Sequence, residues 1–286
     1  MKTETVLATN DSLTHPPAQV SHDCLGGTPL TRIVTTSWDD GDPLDIRVAE
    51  LLAPRNLPGT FYIPVKGHHK SNRMGFTEML ALDSQGFEIG AHGVSHPNLP
   101  QCDAEQLIVE VESCKKHLED YLGKPVSMFA YPRGRHNNKV IASLKQAGYT
   151  GARTTAMLAH HLAFSPFRMP TSVHVFPHSR LDYLRNLARE CDLRRTWAYA
   201  THLRQVGNWV ELAKYLFDSV LRDGGLWHLY GHSWEIEELR LWNGLKEVLD
   251  YVANRPGVTY MSNCAAVGLR TNDLAGAACS IQPTTS

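Results

Sequence analysis

Three carboxylates fall within four residues in the segment Thr35-Thr36-Ser37-Trp38-Asp39-Asp40-Gly41-Asp42, just after the apolar and β-branched run Ile33 to Thr36. Carboxylates this close repel one another, and burial raises their pKa values, so a buried cluster calls for a compensating cation. A divalent metal is the simplest one. The segment taken alone also reads as a solvated turn in which Asp42 caps a helix entered at Pro43. Further along, His92 and His96 stand with three residues between them, a common spacing for two imidazoles on one metal. Joined to a carboxylate they form a two-His, one-carboxylate set with positions left open for water and substrate. Such a set suits hydrolytic zinc first, with iron, cobalt, manganese or nickel as alternatives. Two more polar segments carry reactive side chains: Tyr131-Pro132-Arg133-Gly134-Arg135, and Trp227-His228-Leu229-Tyr230-Gly231-His232.

Something must bring these segments together. Short apolar runs at Ile33–Thr36, Thr60–Ile63, Phe87–Ala91, Val126–Tyr131, Tyr149–Arg153, Leu226–Tyr230 and Val258–Ser262 read as strands. Amphipathic helices alternate with them: one after Asp42, one near Thr77–Gln85, and a long one capped by Asp103 and closed at Gly123. Further helices are expected at Lys139–Ala147, Leu181–Cys191, Trp209–Asp223 and Glu237–Asn254. Alternating strands and helices predict parallel pairing in one domain, and this many strands fits a closed or nearly closed barrel. In such barrels the active site lies at the C-terminal ends of the strands, and there the acidic, histidine and arginine segments all fall.

Composition narrows the function. The chain has 286 residues and a formal net charge of −1, so it offers no broad basic field for nucleic acid or for an anionic membrane. No apolar stretch is long enough to span a bilayer, and the first thirty residues lack the basic start and apolar run of a secretory signal. The six cysteines contain no Cys-x-x-Cys pair, which fits reduced thiols in a cytoplasmic protein. Residues 1–30 read as a flexible arm, 31–269 as the barrel, and 270–286 as a flexible tail.

Ser37-Trp38-Asp39-Asp40-Gly41, the His92/His96 pair and Phe129-Ala130-Tyr131-Pro132-Arg133-Gly134 resemble the first three motifs of the polysaccharide deacetylase family, the family-four carbohydrate esterases. Trp227 to His232 resembles its last motif. The resemblance runs from about Arg32 to Ser262. It implies a distorted (β/α)7 barrel that removes acyl groups from amides with one divalent metal. It makes Asp39 the general base, Asp40, His92 and His96 the metal ligands, and His232 the general acid. Trp38, Tyr131, Arg133 and His228 are candidates for the pocket wall or the oxyanion site, with His228 equally readable as a core histidine.

Two departures stand out. The Arg that usually opens the third motif and supports the catalytic Asp is Ala130, so Arg133 or Arg135 is expected to take over or to bind an anionic group. The usual Asp- and Trp-containing fourth motif is replaced by a Pro- and His-rich stretch holding Phe164, Phe167, Arg168 and His174. The expected substrate is therefore a small or carrier-linked N-acyl amino sugar, or a related small amide. A deformylase, an O-acetyl esterase, a non-sugar amidase and a silent glycan- or metabolite-binding protein are the competing readings.

Overall fold

In the computed structural model, which describes residues 30–67, 72–190, 193–201 and 207–269, the strands form one parallel sheet. Its members are β1 (Arg32–Asp39), β2 (Thr60–Ile63), β3 (Glu88–Ala91), β4 (Met128–Ala130), β5 (Gly151–Arg153), β6 (Val173–His174), β7 (Gly225–Gly231) and β8 (Thr259–Tyr260). The order is β5-β4-β3-β2-β1-β7-β6, with β8 added beside the first half of β1. The sheet curls into a barrel that stays open between β5 and β6, where a single bridge links Arg153 and Met169. This is the distorted (β/α)7 arrangement that the sequence predicts. The expected arm, most of which precedes residue 30, and the tail lie outside the described residues.

Strand side chains alternate between two faces. Along β1, Ile33 joins an inner cluster with Tyr62, Met128, Met169 and Leu226, whereas Val34 and Trp38 join the larger outer cluster beneath the helices. The same parity puts Phe61, Ile89, Phe129 and Trp227 outside. The helices that cover this face are α1 (Asp45–Leu52), α2 (Phe76–Ser84), α3 (Ala104–Ile108), α4 (Cys114–Leu122), α5 (Asn138–Gln146), α6 (Arg180–Glu190), α7 (Leu193–Thr201), α8 (Trp209–Asp223), α9 (Ser233–Glu238) and α10 (Trp242–Val252). Burying this much apolar surface between sheet and helices is the main favourable term for the fold.

Local chemistry sets the helix ends. Asp103 accepts from the Gln106 N–H at 2.8 Å in a reciprocal capping box, and Gly123 ends α4 at φ 67. Between α3 and α4 the chain widens into a π-helical turn, Val109–Ser113. The single helix expected over Glu237–Asn254 is two, α9 and α10, because Arg240 takes a left-handed φ of 56 and ends the first. The α7 helix was not expected. Asp42 is no helix cap: it accepts the Leu44 N–H at 2.9 Å and the Asn72 N–H at 2.8 Å, so it pins the turn before α1 to a distant loop. Among the described residues, no helix is long and apolar enough to cross a membrane.

Candidate active site

The barrel's C-terminal mouth holds a cavity of about 800 Å3, lined among others by Asp39, Asp40, His92, His96, Arg133, His174 and His232. Asp39 is the last residue of β1 and faces inward by strand parity. Simple alternation would turn Asp40 outward. Instead Asp40 and Gly41 adopt left-handed φ values of 75 and 58, which swing the second carboxylate back to the same cavity. Asp is one of the few side-chain-bearing residues that tolerates this region.

His92 follows β3 and donates its Nδ1–H to the Ala130 carbonyl at 2.8 Å, which leaves the Nε2 lone pair directed at Asp40. His92 Nε2 lies 3.6 Å and His96 Nε2 3.5 Å from Asp40 Oδ1. Ligands about 2.0–2.1 Å from a tetrahedral metal stand roughly 3.3–3.4 Å apart, so the donor set fits a small divalent ion with little adjustment. Trp234 Nε1 holds the other Asp40 oxygen at 3.0 Å.

The loop between the two histidines is braced from below. Glu110, in the π-helical turn, accepts from the Val94 and Ser95 N–H groups at 2.7 and 2.9 Å and from the Ser95 hydroxyl at 2.5 Å. Gly93 is required here, since its φ is 82 and a Cβ would meet Glu110 Oε2 at 2.9 Å. π-Helical turns recur at functional sites, and this one aims a buried carboxylate at the loop that carries His96.

The guanidinium missing at position 130 comes from β5. Arg153 is fully buried and ion-pairs with Asp39 Oδ1 through Nη2. It is the register partner of Ala130, one strand over and on the same interior face. Its charge is further cradled between the rings of Tyr62 and Tyr230, 5.3 and 5.0 Å away. Burial alone would raise the Asp39 carboxyl, but Arg153, His92 and His232 more than offset this and hold it at about 2. Arg133 and Arg135, the replacements that the sequence suggested, line the cavity and do not reach Asp39. The signal was present in the sequence: Arg153 is the inward-facing charge at the end of the fifth strand.

On the opposite wall, His232 Nε2 lies 3.9 Å from both Asp39 Oδ2 and Asp40 Oδ2. Its Nδ1 is 2.6 Å from Glu235 Oε2 and 3.3 Å from His174 Nε2. His174 closes β6, stacks on Tyr230 at 4.2 Å, and meets His178 through Nδ1 at 2.8 Å. Burial works against charge on His232, but the Glu235 hydrogen bond and the charges of Asp40, Glu235 and Asp39 push its pKa up to about 9. His174 goes the other way, down to about 3, chiefly through burial. In the sequence His174 falls in the Pro- and His-rich stretch, and Glu235, just past the last motif, reads equally as a pocket-mouth residue or a helix-start charge. Phe164, Phe167 and Arg168 of that loop stay outside the cavity.

Three expected wall residues do not belong to it. Trp38 is fully buried among outer core residues, its Nε1 donating to Thr36. His228 is a core histidine between Ser37 Oγ at 2.8 Å and the Pro170 carbonyl at 2.9 Å. Tyr131 spends its N–H on the Arg153 carbonyl and its hydroxyl on the Phe167 carbonyl.

Residues 26–152 match the family described as polysaccharide deacetylase. That match spans just under half of the chain. The chain is 29% identical over 116 residues to chitin deacetylase 1 of Cryptococcus neoformans var. grubii, a stretch that is 40% of this chain and 24% of that protein. The chain thus spans about a quarter of the curated relative. In fold, the barrel resembles a crystal structure from Mycobacterium smegmatis assigned as a polysaccharide deacetylase, with a TM-score of 0.62, 18% identity, and 95% and 98% of the two chains covered. It also resembles the Xyl-CE4 domain of a multidomain xylanase from the hindgut metagenome of Trinervitermes trinervoides, with a TM-score of 0.52, 13% identity, and 84% and 92% covered. Asp40, His92 and His96 are placed so that they could hold one metal ion.

Proposed function

We propose that this protein removes an N-acyl group, acetyl by preference, from an amino sugar or related small amide, with one divalent ion, zinc by preference, at Asp40, His92 and His96. The observation that carries the reading is geometric: Asp39, ion-paired to Arg153, and His232, held by Glu235, face each other across one cavity with His232 Nε2 3.9 Å from Asp39 Oδ2, beside the Asp40, His92 and His96 donor set. A carboxylate and an imidazole so placed can serve as base and acid within a single site.

A metal bound there lowers the pKa of a coordinated water and polarises the acyl carbonyl. Asp39, held away from the metal position by Arg153, is left to accept the water proton on Oδ2, its other oxygen being committed to the guanidinium. His232, charged at neutral pH and oriented by Glu235 and His174, donates the proton that an amine needs to leave. Trp234 fixes the Asp40 carboxylate. Arg153 also removes the strongest argument for a silent binding protein, since the guanidinium lost at Ala130 is supplied by its neighbour.

The test is acetate or formate release from a panel of N-acyl amino sugars by the metal-loaded protein, with Asp39→Asn as the control. The variant should bind metal normally by elemental analysis and lose roughly two to four orders of magnitude in kcat, the usual contribution of a general base. Turnover within tenfold of the parent chain would remove Asp39 as the base.

A further inference from the structure

We propose that the cavity beside the metal-type centre recognises an oxyanion, a phosphoryl or carboxylate group, carried by the substrate. This deepens the amide-hydrolase reading and rests on it for what the neighbouring centre does.

A second cavity of about 550 Å3 adjoins the main one, and Arg133, Arg135 and Arg189 line both. The remainder of the smaller lining is amide, imidazole and proline, from residues such as Asn98, Gln101 and His136, and it includes no carboxylate. Among the described residues, neither Arg133 nor Arg135 has an ion-pair partner. Arg189 is paired through Nε with Glu190 at 3.1 Å, from outside the lining, and donates Nη2 to Thr155 Oγ1 at 3.1 Å. The acidic groups of the larger cavity do not neutralise this wall. Asp39 is committed to Arg153, Asp40 to Trp234 and the metal-type set, Glu235 to His232 and His174, and Asp182 to Ser179 and Arg185.

The backbone here is also held in an unfavourable form. Arg133 has a φ of 56, a left-handed region that residues with a side chain rarely adopt. Gly134 follows at φ 66, where a Cβ would overlap the Thr155 hydroxyl. This winding brings the two arginines that flank Gly134 onto the same wall. Strain retained beside a site is a pointer to function, and guanidinium is the side chain whose planar fork fits phosphate and carboxylate best. Three of them over a concave surface gather anions from solution. The volume falls in the range of small-ligand pockets and has room for a phosphorylated or uronic sugar unit.

The metal-loaded full chain would be titrated calorimetrically with inorganic phosphate. It would then be assayed on N-acetylglucosamine, N-acetylglucosamine 1-phosphate and N-acetylmuramic acid. Charge-assisted hydrogen bonds make a preference of about tenfold or more in kcat/KM the expected result for one of the two anionic compounds. Which of the two prevails separates phosphoryl from carboxylate. The preference should weaken as salt is raised, fall towards unity in Arg133→Ala/Arg135→Ala, and be partly restored by the double Lys variant. Phosphate held at the metal would be indifferent to these variants, so phosphate binding that survives them counts against the site. If no amide is cleaved but the phosphate ester still binds more tightly than the neutral sugar through Arg133 and Arg135, the anion site stands and the hydrolase reading falls. Equal binding and turnover of neutral and anionic compounds by the parent chain would overturn the inference.

Discussion

Replacing Arg153 by Ala leaves the Asp39 carboxylate buried without its guanidinium. Removing one partner of a buried ion pair costs about 3–5 kcal/mol. At roughly 2–4 °C per kcal/mol for a domain of this size, the melting temperature of the metal-free protein should drop by roughly 6–20 °C near neutral pH. The pH dependence is the sharper readout. In the parent chain Asp39 is displaced from its ordinary 3.8 down to about 2, so the stability it contributes is present above 3.8 and is lost as pH falls towards 2. Without Arg153, burial is the leading influence and its direction is upward. Asp39 in the variant therefore takes up a proton on acidification and loses its unpaired charge. The gap between the two proteins should be widest at neutral pH and should narrow as the pH is lowered. His228 acts in the same sense, because Arg153 also presses its pKa down. The rescue is Ala130→Arg in the same variant, since the two positions are register partners on strands about 4.8 Å apart. Scanning calorimetry across pH and hydrolysis of an N-acyl amino sugar would read both effects. A melting-temperature loss that does not change with pH, or full hydrolysis without Arg153, would refute the assignment.

Other outcomes follow from the same geometry. Glu110→Ala removes the brace under the His92–His96 loop and should weaken metal affinity about 10–100-fold, measured by competition with a chelator, while leaving the fold intact by circular dichroism. Glu235→Gln takes away the leading support for the charged form of His232, whose pKa is about 9, so the alkaline limb of kcat on amides should move to lower pH. An unchanged limb would separate that limb from His232. His228 is buried neutral, with a pKa near 3 against an ordinary 6.5, so acidification through that window destabilises the fold by up to about 5 kcal/mol. His228→Gln should flatten the stability profile between pH 6.5 and 3, although it costs stability at pH 8.

The barrel and its metal-type centre were legible because strand ends collect in a parallel barrel, and the acidic, histidine and arginine segments all sat at predicted ends. Trp38 was misplaced although the same alternation argues against it: on a strand, Trp38 and Asp39 cannot both face inward. Asp40 escapes that rule through a left-handed turn that strand periodicity does not encode. Arg153 and Ala130 are partners through a register that only the folded sheet defines. Glu110 was hidden inside an amphipathic pattern, and it becomes a brace because the widened turn sets it under a loop fifteen residues back. Ile108, apolar like its neighbours in the helix after Asp103, is about half exposed, lying beside the buried line of Leu107, Val111, Cys114 and Leu118.

The opening between β5 and β6 has a mechanical consequence. Regular strand pairing runs from β5 round to β6 and gives way at that seam to one bridge and to loop hydrogen bonds such as Thr154 N–H to the Met169 carbonyl at 2.8 Å and Leu158 N–H to the Ser172 carbonyl at 3.0 Å, so the wall is less regularly tied there than along the ladder that joins β1 to β7. Asp39 and His232 each stand one residue past the last pair of that ladder, Trp38 and Gly231, so it sets their separation. Arg133 and Arg135 follow β4 on one side of the seam, and Arg189 lies in α6 on the other. A ligand gripped by all three acts as a clasp across the wall. Its grip should slow amide hydrogen exchange along residues 154–172, the stretch of chain that crosses the seam.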